Sequence, residues 1–148
     1  MSLTELLQND VKQALKAKNE LKKSTLRLLL SSVSYARIEK GDELTDEEVL
    51  DVLTREAKRR RESIEAAERG GRSDVADKER AELEIISQYL PKQLGEDEIE
   101  IIARQVVDEV GAADMKDKGK VMGPLMQRVR GKADGKLVNL VVEKLLRS

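Results

Sequence analysis

The 148-residue sequence predicts an all-α protein built as two helical bundles, four-helix at the N-terminus and three-helix at the C-terminus. Three observations predict it. Apolar residues make up 39% and charged residues another 39%, while aromatics supply only 1%, so Leu, Ile, Val, Ala and Met must form the core. Glu, Lys, Arg and Ala fill the remaining positions, a mix that favours helix over sheet. Apolar residues also recur at three- and four-residue spacing through every long segment, and none alternates with the period of a strand.

The elements follow in order. Ser2 and Glu5 in "SLTELLQNDVKQALKAK" stand as a capping box, with Leu3, Leu6, Leu7, Val11, Ala14 and Leu15 at helical spacing behind them. Asn19 interrupts. "ELKKSTLRLLLSSVSYARIEK" then predicts a second helix with Leu21, Leu28, Leu29 and Val33 on one broad face, stopped by Gly41-Asp42. Thr45 and Glu48 make another capping box for a third helix, which carries Val49, Leu50, Val52, Leu53, Ala57 and Ile64 and ends at Gly70-Gly71. A fourth runs from a Ser73/Asp74 cap toward Pro91.

Pro91 cannot continue a helix and restricts Leu90 before it, so the boundary is set there: an N-terminal domain over 1–91 and a C-terminal domain over 92–148. Glu96, Asp97 and Glu98 predict the acidic first turn of a fifth helix, with Ile99, Ile102, Val106 and Val110 on one side and Gly111 at its end. Two more helices are predicted over Lys118–Val129 and Asp134–Leu146.

Composition excludes several chemistries. Without Cys there is no disulfide, thiolate metal site or thiol nucleophile; without His there is no imidazole base or ligand. Ser, Lys and carboxylates remain, but no pair of carboxylates stands beside a plausible apolar pocket, and no Ser–Lys spacing departs from helix-surface usage. No catalytic residue, metal or cofactor is expected. No apolar run approaches the roughly 18 residues that span a bilayer. "MSLTELLQND" has neither a basic leader nor a cleavage site, so the expectation is a soluble, cytosolic protein.

The net charge is −1, unevenly spread. Residues 92–114 hold Lys92 and Arg104 against seven acids, a net of −5, whereas residues 115–148 hold nine bases against three acids, a net of +6. Within that basic segment, "GKVMGPLMQRVRGKADGKLVN" is rich in glycine but lacks the order of a Walker A loop. Gly119 and Gly123, four apart, would clear one helix face for another helix or a backbone. Gly131 reads as a helix-ending glycine, and Asp134 as the cap of the last helix. The functional alternative adds Lys116, Lys118, Lys120, Arg128, Arg130, Lys132 and Lys136 as phosphate contacts, with Gly131 and Gly135 permitting close backbone approach. No aromatic residue interleaves them, so any nucleic acid would be read by backbone shape in structured RNA. The other basic run, "REAKRRRES", carries Arg55, Lys58, Arg59, Arg60 and Arg61 among Glu56, Glu62 and Glu65, and reads as a solvated, charge-laced helix. Tyr35 and Tyr89 are expected at helix ends with their hydroxyls wet.

"STLRLLLSSV", "LTDEEVLDVLTREAKRRRESIE", "GRSDVADKERAELEIISQYLPKQL" and the glycine-rich block, in this order, resemble the GatB/YqeY group of small bacterial proteins. The resemblance covers nearly the whole chain. It departs from the group's pattern at Lys118, Gln127 and Gly95, where Met, Pro and Ser are usual. It implies two helical bundles and kinship with the tail of the B subunit of tRNA-dependent amidotransferase. The partner it implies is tRNA or similarly structured RNA, with a protein partner in translation as a further possibility. The label it carries is carbon–nitrogen ligase with glutamine as amide donor. A pure protein-interaction module is the third reading.

Overall fold

The computed structural model describes residues 1–147; Ser148, the end of the second expected domain, lies outside them. Helices α1 (Leu3–Lys16), α2 (Glu20–Lys40), α3 (Asp46–Arg69), α4 (Ser73–Ser87), α5 (Glu96–Val110), α6 (Lys118–Val129) and α7 (Gly135–Arg147) account for the regular structure, with a short 3-10 turn at Met115–Asp117. No strand occurs among the described residues. The chain divides into two compact units, Met1–Leu90 and Pro91–Ser148, so α1–α4 lie in the first and α5–α7 in the second.

Local chemistry explains most helix ends. The Ser2 hydroxyl accepts the Glu5 N–H at 3.1 Å, and Asn19 caps α2 by accepting from Lys22. Thr45 and Glu48 form a reciprocal capping box on α3. At α5 only half a box forms: Glu98 accepts the Gly95 N–H at 3.2 Å, and glycine has no hydroxyl to return. The Ser73/Asp74 cap expected for α4 is absent. Arg72 holds the cap position without a side-chain bond, and the helix stops at Ser87, three residues short of Leu90. Gly41, Gly111 and Gly131 take φ near +70°, the left-handed conformation that ends helices cheaply only for glycine.

The first unit packs Leu7, Leu26, Leu29, Val49, Leu53, Ala57 and Ile86 in its core. On α2 the buried set is Thr25, Leu26, Leu29 and Val33, which corrects the expected face: Leu21 and Leu28 point to solvent, and Leu26, not named from the sequence, is fully buried. A run of three leucines offers two faces of equal apolar content, and only packing against α1, α3 and α4 chooses one. On α1, likewise, Leu7 and Ala14 are buried while Leu6 and Leu15 are exposed.

Tyr89 is not wet. Its hydroxyl donates to the Asp10 carboxylate at 2.5 Å, and burial, then that carboxylate, raises its pKa well above the usual phenol value. "REAKRRRES" is not uniformly solvated either. Arg60, largely buried, donates through Nε to Glu82 at 3.0 Å and lies 3.4–3.6 Å from Glu79 and Glu56, locking α3 to α4. The second unit packs Ile99, Ala103, Val106, Val121, Leu125, Val129, Val138 and Val142 between α5, α6 and α7. Each of the buried valines, leucines and isoleucines contributes about 1.5–3 kcal/mol over exposure.

Candidate nucleic-acid interface

The seven basic residues singled out in the second unit do not form one patch. Lys116 stands in the 3-10 turn before α6, Lys118 and Lys120 at the start of α6, and Arg128 near its far end, ten residues or about 15 Å of helix from Lys118. Arg130 and Lys132 follow on the turn into α7, and Lys136 lies in the first turn of α7 itself.

Their electrostatic circumstances differ as much as their positions. Lys118 donates to Glu143 at 2.8 Å in a half-buried bridge, and this bond lowers the Glu143 pKa. Lys120 lies 3.6 Å from Asp117, whose pKa is lowered first by the Ala113 N–H and then by Lys120. Arg128 pairs with Glu109 of α5. Lys144, on α7, pairs with Glu96 of α5 at 2.9 Å and has its pKa raised by that carboxylate. The acidic α5 thus lies against the basic helices. Counted as one body, the unit from Pro91 to Ser148 carries eleven bases and ten acids, a net of +1 in place of the segment's +6.

What remains unpaired is the turn. Lys132 and Lys136 are exposed, and their side chains make no hydrogen bond or ion pair among the described residues; the same holds for Lys116. Arg130 is exposed but already engaged. Gly131, with φ +74°, ends α6 at the turn, and Asp134 accepts the Lys136 N–H at 3.2 Å, so both joint readings of this stretch hold. That cap places a carboxylate at the start of α7, where it disfavours a phosphate on the Gly135 end of the helix. At Gly119 and Gly123 an added Cβ would meet nothing within 4 Å, so the face they clear is covered by no neighbour.

One basic residue of this surface was not legible in the sequence. The Leu94 N–H donates to the Lys132 carbonyl at 2.7 Å, and the Gln93 amide donates to the Gly131 carbonyl at 2.9 Å. These two bonds pin the segment carrying Lys92, itself exposed and unpaired, against the turn. About forty residues separate Lys92 from Lys132, and no spacing rule reaches that far. Among the described residues, no group of three or more acidic side chains is arranged to hold a metal ion, and no helix is long and apolar enough to cross a membrane.

The profile of the Yqey-like protein family matches residues 4–146, and the chain belongs to that family. Among curated proteins it is similar to the mitochondrial "Altered inheritance of mitochondria protein 41" of three organisms. For Lachancea thermotolerans the identity is 35% over 66% of this chain and 53% of the relative. For Vanderwaltozyma polyspora it is 32% over 75% of this chain and 64% of the relative. For Pyrenophora tritici-repentis it is 25% over 95% and 78%. The chain spans about half the length of several relatives it matches.

These names overturn the cytosolic expectation, because the relatives are mitochondrial by name. That expectation rested on what Met1–Asp10 lacks, and an absence in ten residues carries no address when the relatives are longer. The bacterial setting of the resemblance also fails as a restriction, since these relatives are fungal.

Proposed function

We propose that the first unit is a four-helix bundle and the second a three-helix bundle, and that the second binds tRNA or similarly structured RNA through the turn between α6 and α7. Lys92, Lys132 and Lys136 grip phosphates there, with Arg130 beside them and Gly131 keeping the backbone approachable. Lys116 and Lys120 contribute at most a distant contact, and Lys118 and Arg128 are spent on holding the helices together. The observation that supports this reading is the pair of hydrogen bonds from Gln93 and Leu94 to the Gly131 and Lys132 carbonyls, which bring the segment next to the exposed Lys92 to the turn. The relatives' names supply a mitochondrial setting for it.

With no aromatic side chain on this surface, recognition follows backbone shape rather than base identity. About three or four neutralised phosphates give log affinity a slope near −3 against log salt. The test is binding of the whole protein to bulk tRNA across a salt series. The triple variant Lys92→Ala, Lys132→Ala, Lys136→Ala is expected to lose about tenfold or more in affinity and to flatten the slope by about 2–3. Lys116→Ala with Lys120→Ala is expected to stay within about threefold. Salt-insensitive binding, or equal loss in both variants, overturns the assignment.

A further inference from the structure

Helix α2 carries an apolar seam that its own unit does not use. Leu21, Ser24, Leu28, Ser31, Tyr35 and Ile38 follow a strict three–four spacing, and all six are exposed. The large members are open to solvent to 36% at Leu21, 54% at Leu28, 69% at Tyr35 and 72% at Ile38. The opposite face, with Leu26, Leu29 and Val33, is fully occupied by the core. Seventeen residue steps make the seam about 25 Å long, the reach of a partner helix of about five turns. Tyr35 and Ile38 stand outside the core cluster of their unit, and an exposed row of this kind marks an interaction surface.

The pattern fits a helix better than a lipid surface. Large residues alternate with serines, leaving the small sites into which a partner's side chains insert, as in helix pairs with apolar residues at every third and fourth position. A membrane-lying helix would instead present a wide apolar face with bases along both edges.

Charge selects the partner. Arg27 borders the seam on α2, exposed and with no polar partner among the described residues. On the other side α2 and α3 enclose a cleft of about 510 Å³, where Ser31 and Tyr35 face Arg55 and Arg59. Arg55 is unpaired, and Arg59 holds only a 3.3 Å contact to Glu56, a carboxylate that also accepts from Ser32 and lies near Arg60. Two acids line the cleft, Glu39 and Glu56, and Glu56 is the one already engaged. Unpaired arginines therefore stand on both edges of an apolar row.

We propose that the α2 seam, with the adjoining α2–α3 cleft, docks an acidic amphipathic helix of a partner protein, its apolar residues at three–four spacing and its Glu or Asp residues meeting Arg27 and Arg55. This surface lies in the first unit and does not depend on the RNA reading of the second.

The probe is a pair of fluorescently labelled synthetic helices of about 18 residues with the same Leu pattern, one flanked by Glu and one by Lys. The intact protein is expected to bind the acidic peptide at least tenfold more tightly than the basic one. Leu28→Glu with Tyr35→Glu is expected to abolish binding while the thermal unfolding curve stays in place, because both positions are exposed. Arg27→Glu with Arg55→Glu is expected to transfer the preference to the basic peptide. Equal binding of the two peptides, or binding unchanged in both variants, overturns the proposal. So does a concentration-dependent dimer that Leu28→Glu disrupts, which would make a second copy the occupant. Competition by anionic phospholipid vesicles but not by the acidic peptide would give the seam to a membrane.

Discussion

Arg60 in the first unit and Lys132 in the second both come from basic stretches of sequence, yet they meet opposite fates. Arg60 is surrounded by Glu56, Glu79 and Glu82 on α3 and α4 and is spent on holding two helices together. Lys132 sits on an exposed turn and makes no ion pair among the described residues. The difference teaches that basic residues mark a binding face only after the internal pairs are subtracted. The subtraction removes Lys118 and Arg128 from the second unit's surface and adds Lys92 to it.

The comparison can be tested at several magnitudes, and intrinsic fluorescence reports on the first unit alone because Tyr35 and Tyr89 are the only aromatic residues. The largest effect is expected in the cores: Leu26→Ala and Leu125→Ala, both fully buried, should each cost about 2–4 kcal/mol in urea unfolding. Leu28→Ala, two residues along the same helix, should stay within about 0.5 kcal/mol. A cost at Leu28 similar to that at Leu26 would refute the face assigned to α2.

Next come the arginines themselves. Arg60→Ala leaves three carboxylates facing one another in a half-closed site, and about 2–3 kcal/mol should be lost from the fluorescence-detected transition. Arg128→Ala removes an exposed pair and should cost no more than about 1 kcal/mol by circular dichroism. Equal costs would break the distinction between internal and external bases.

Tyr89→Phe removes one hydrogen bond, to Asp10, and should cost about 1 kcal/mol; a neutral result would make that contact incidental. The smallest effect concerns pH. The Lys40 ammonium, then the Thr45 N–H, hold Glu48 down to a pKa of about 2 against an ordinary 4.5. A carboxyl depressed on folding stabilises fully above its unfolded value and loses that contribution as pH falls from about 4.5 toward 2. Glu48→Gln should flatten the stability profile in that window by lowering stability at neutral pH toward the level the unsubstituted protein reaches near pH 2. Lys144, raised by Glu96, acts in the opposite sense: its contribution is present below the ordinary lysine value and is lost as pH rises through the raised one.

Much of the secondary structure was legible residue by residue. The caps at Ser2 and Thr45 and the glycines at Gly41, Gly70, Gly111 and Gly131 act over four or five positions, which is the range a sequence displays, while Asn19 read only as an interruption and the structure makes it the cap of α2. Where the local signal was weaker, the reading slipped: Ser73 and Asp74 looked like a cap, yet Arg72 holds that place, and Gln88–Leu90 leave the helix early. The basic surface was legible only in part, because Lys132 and Lys136 announce themselves by type while their freedom depends on where α5 puts its acids.

By itself, the sequence determined that this is a helical protein without imidazole or thiol chemistry, whose aliphatic residues must supply the core and whose helix ends are written in short polar and glycine signals. Membership of the Yqey-like family is also carried by the sequence, through residues 4–146. Only the tertiary structure decided which of two leucine faces on α2 is buried, which bases are consumed by carboxylates from other helices, and that Lys92 joins a turn about forty residues away. The reason is one of range. Capping and turn formation are settled by bonds within a few residues. The choice of a buried face and the pairing of charges are settled by whichever helices pack alongside, and one element's spacing holds no record of its neighbours.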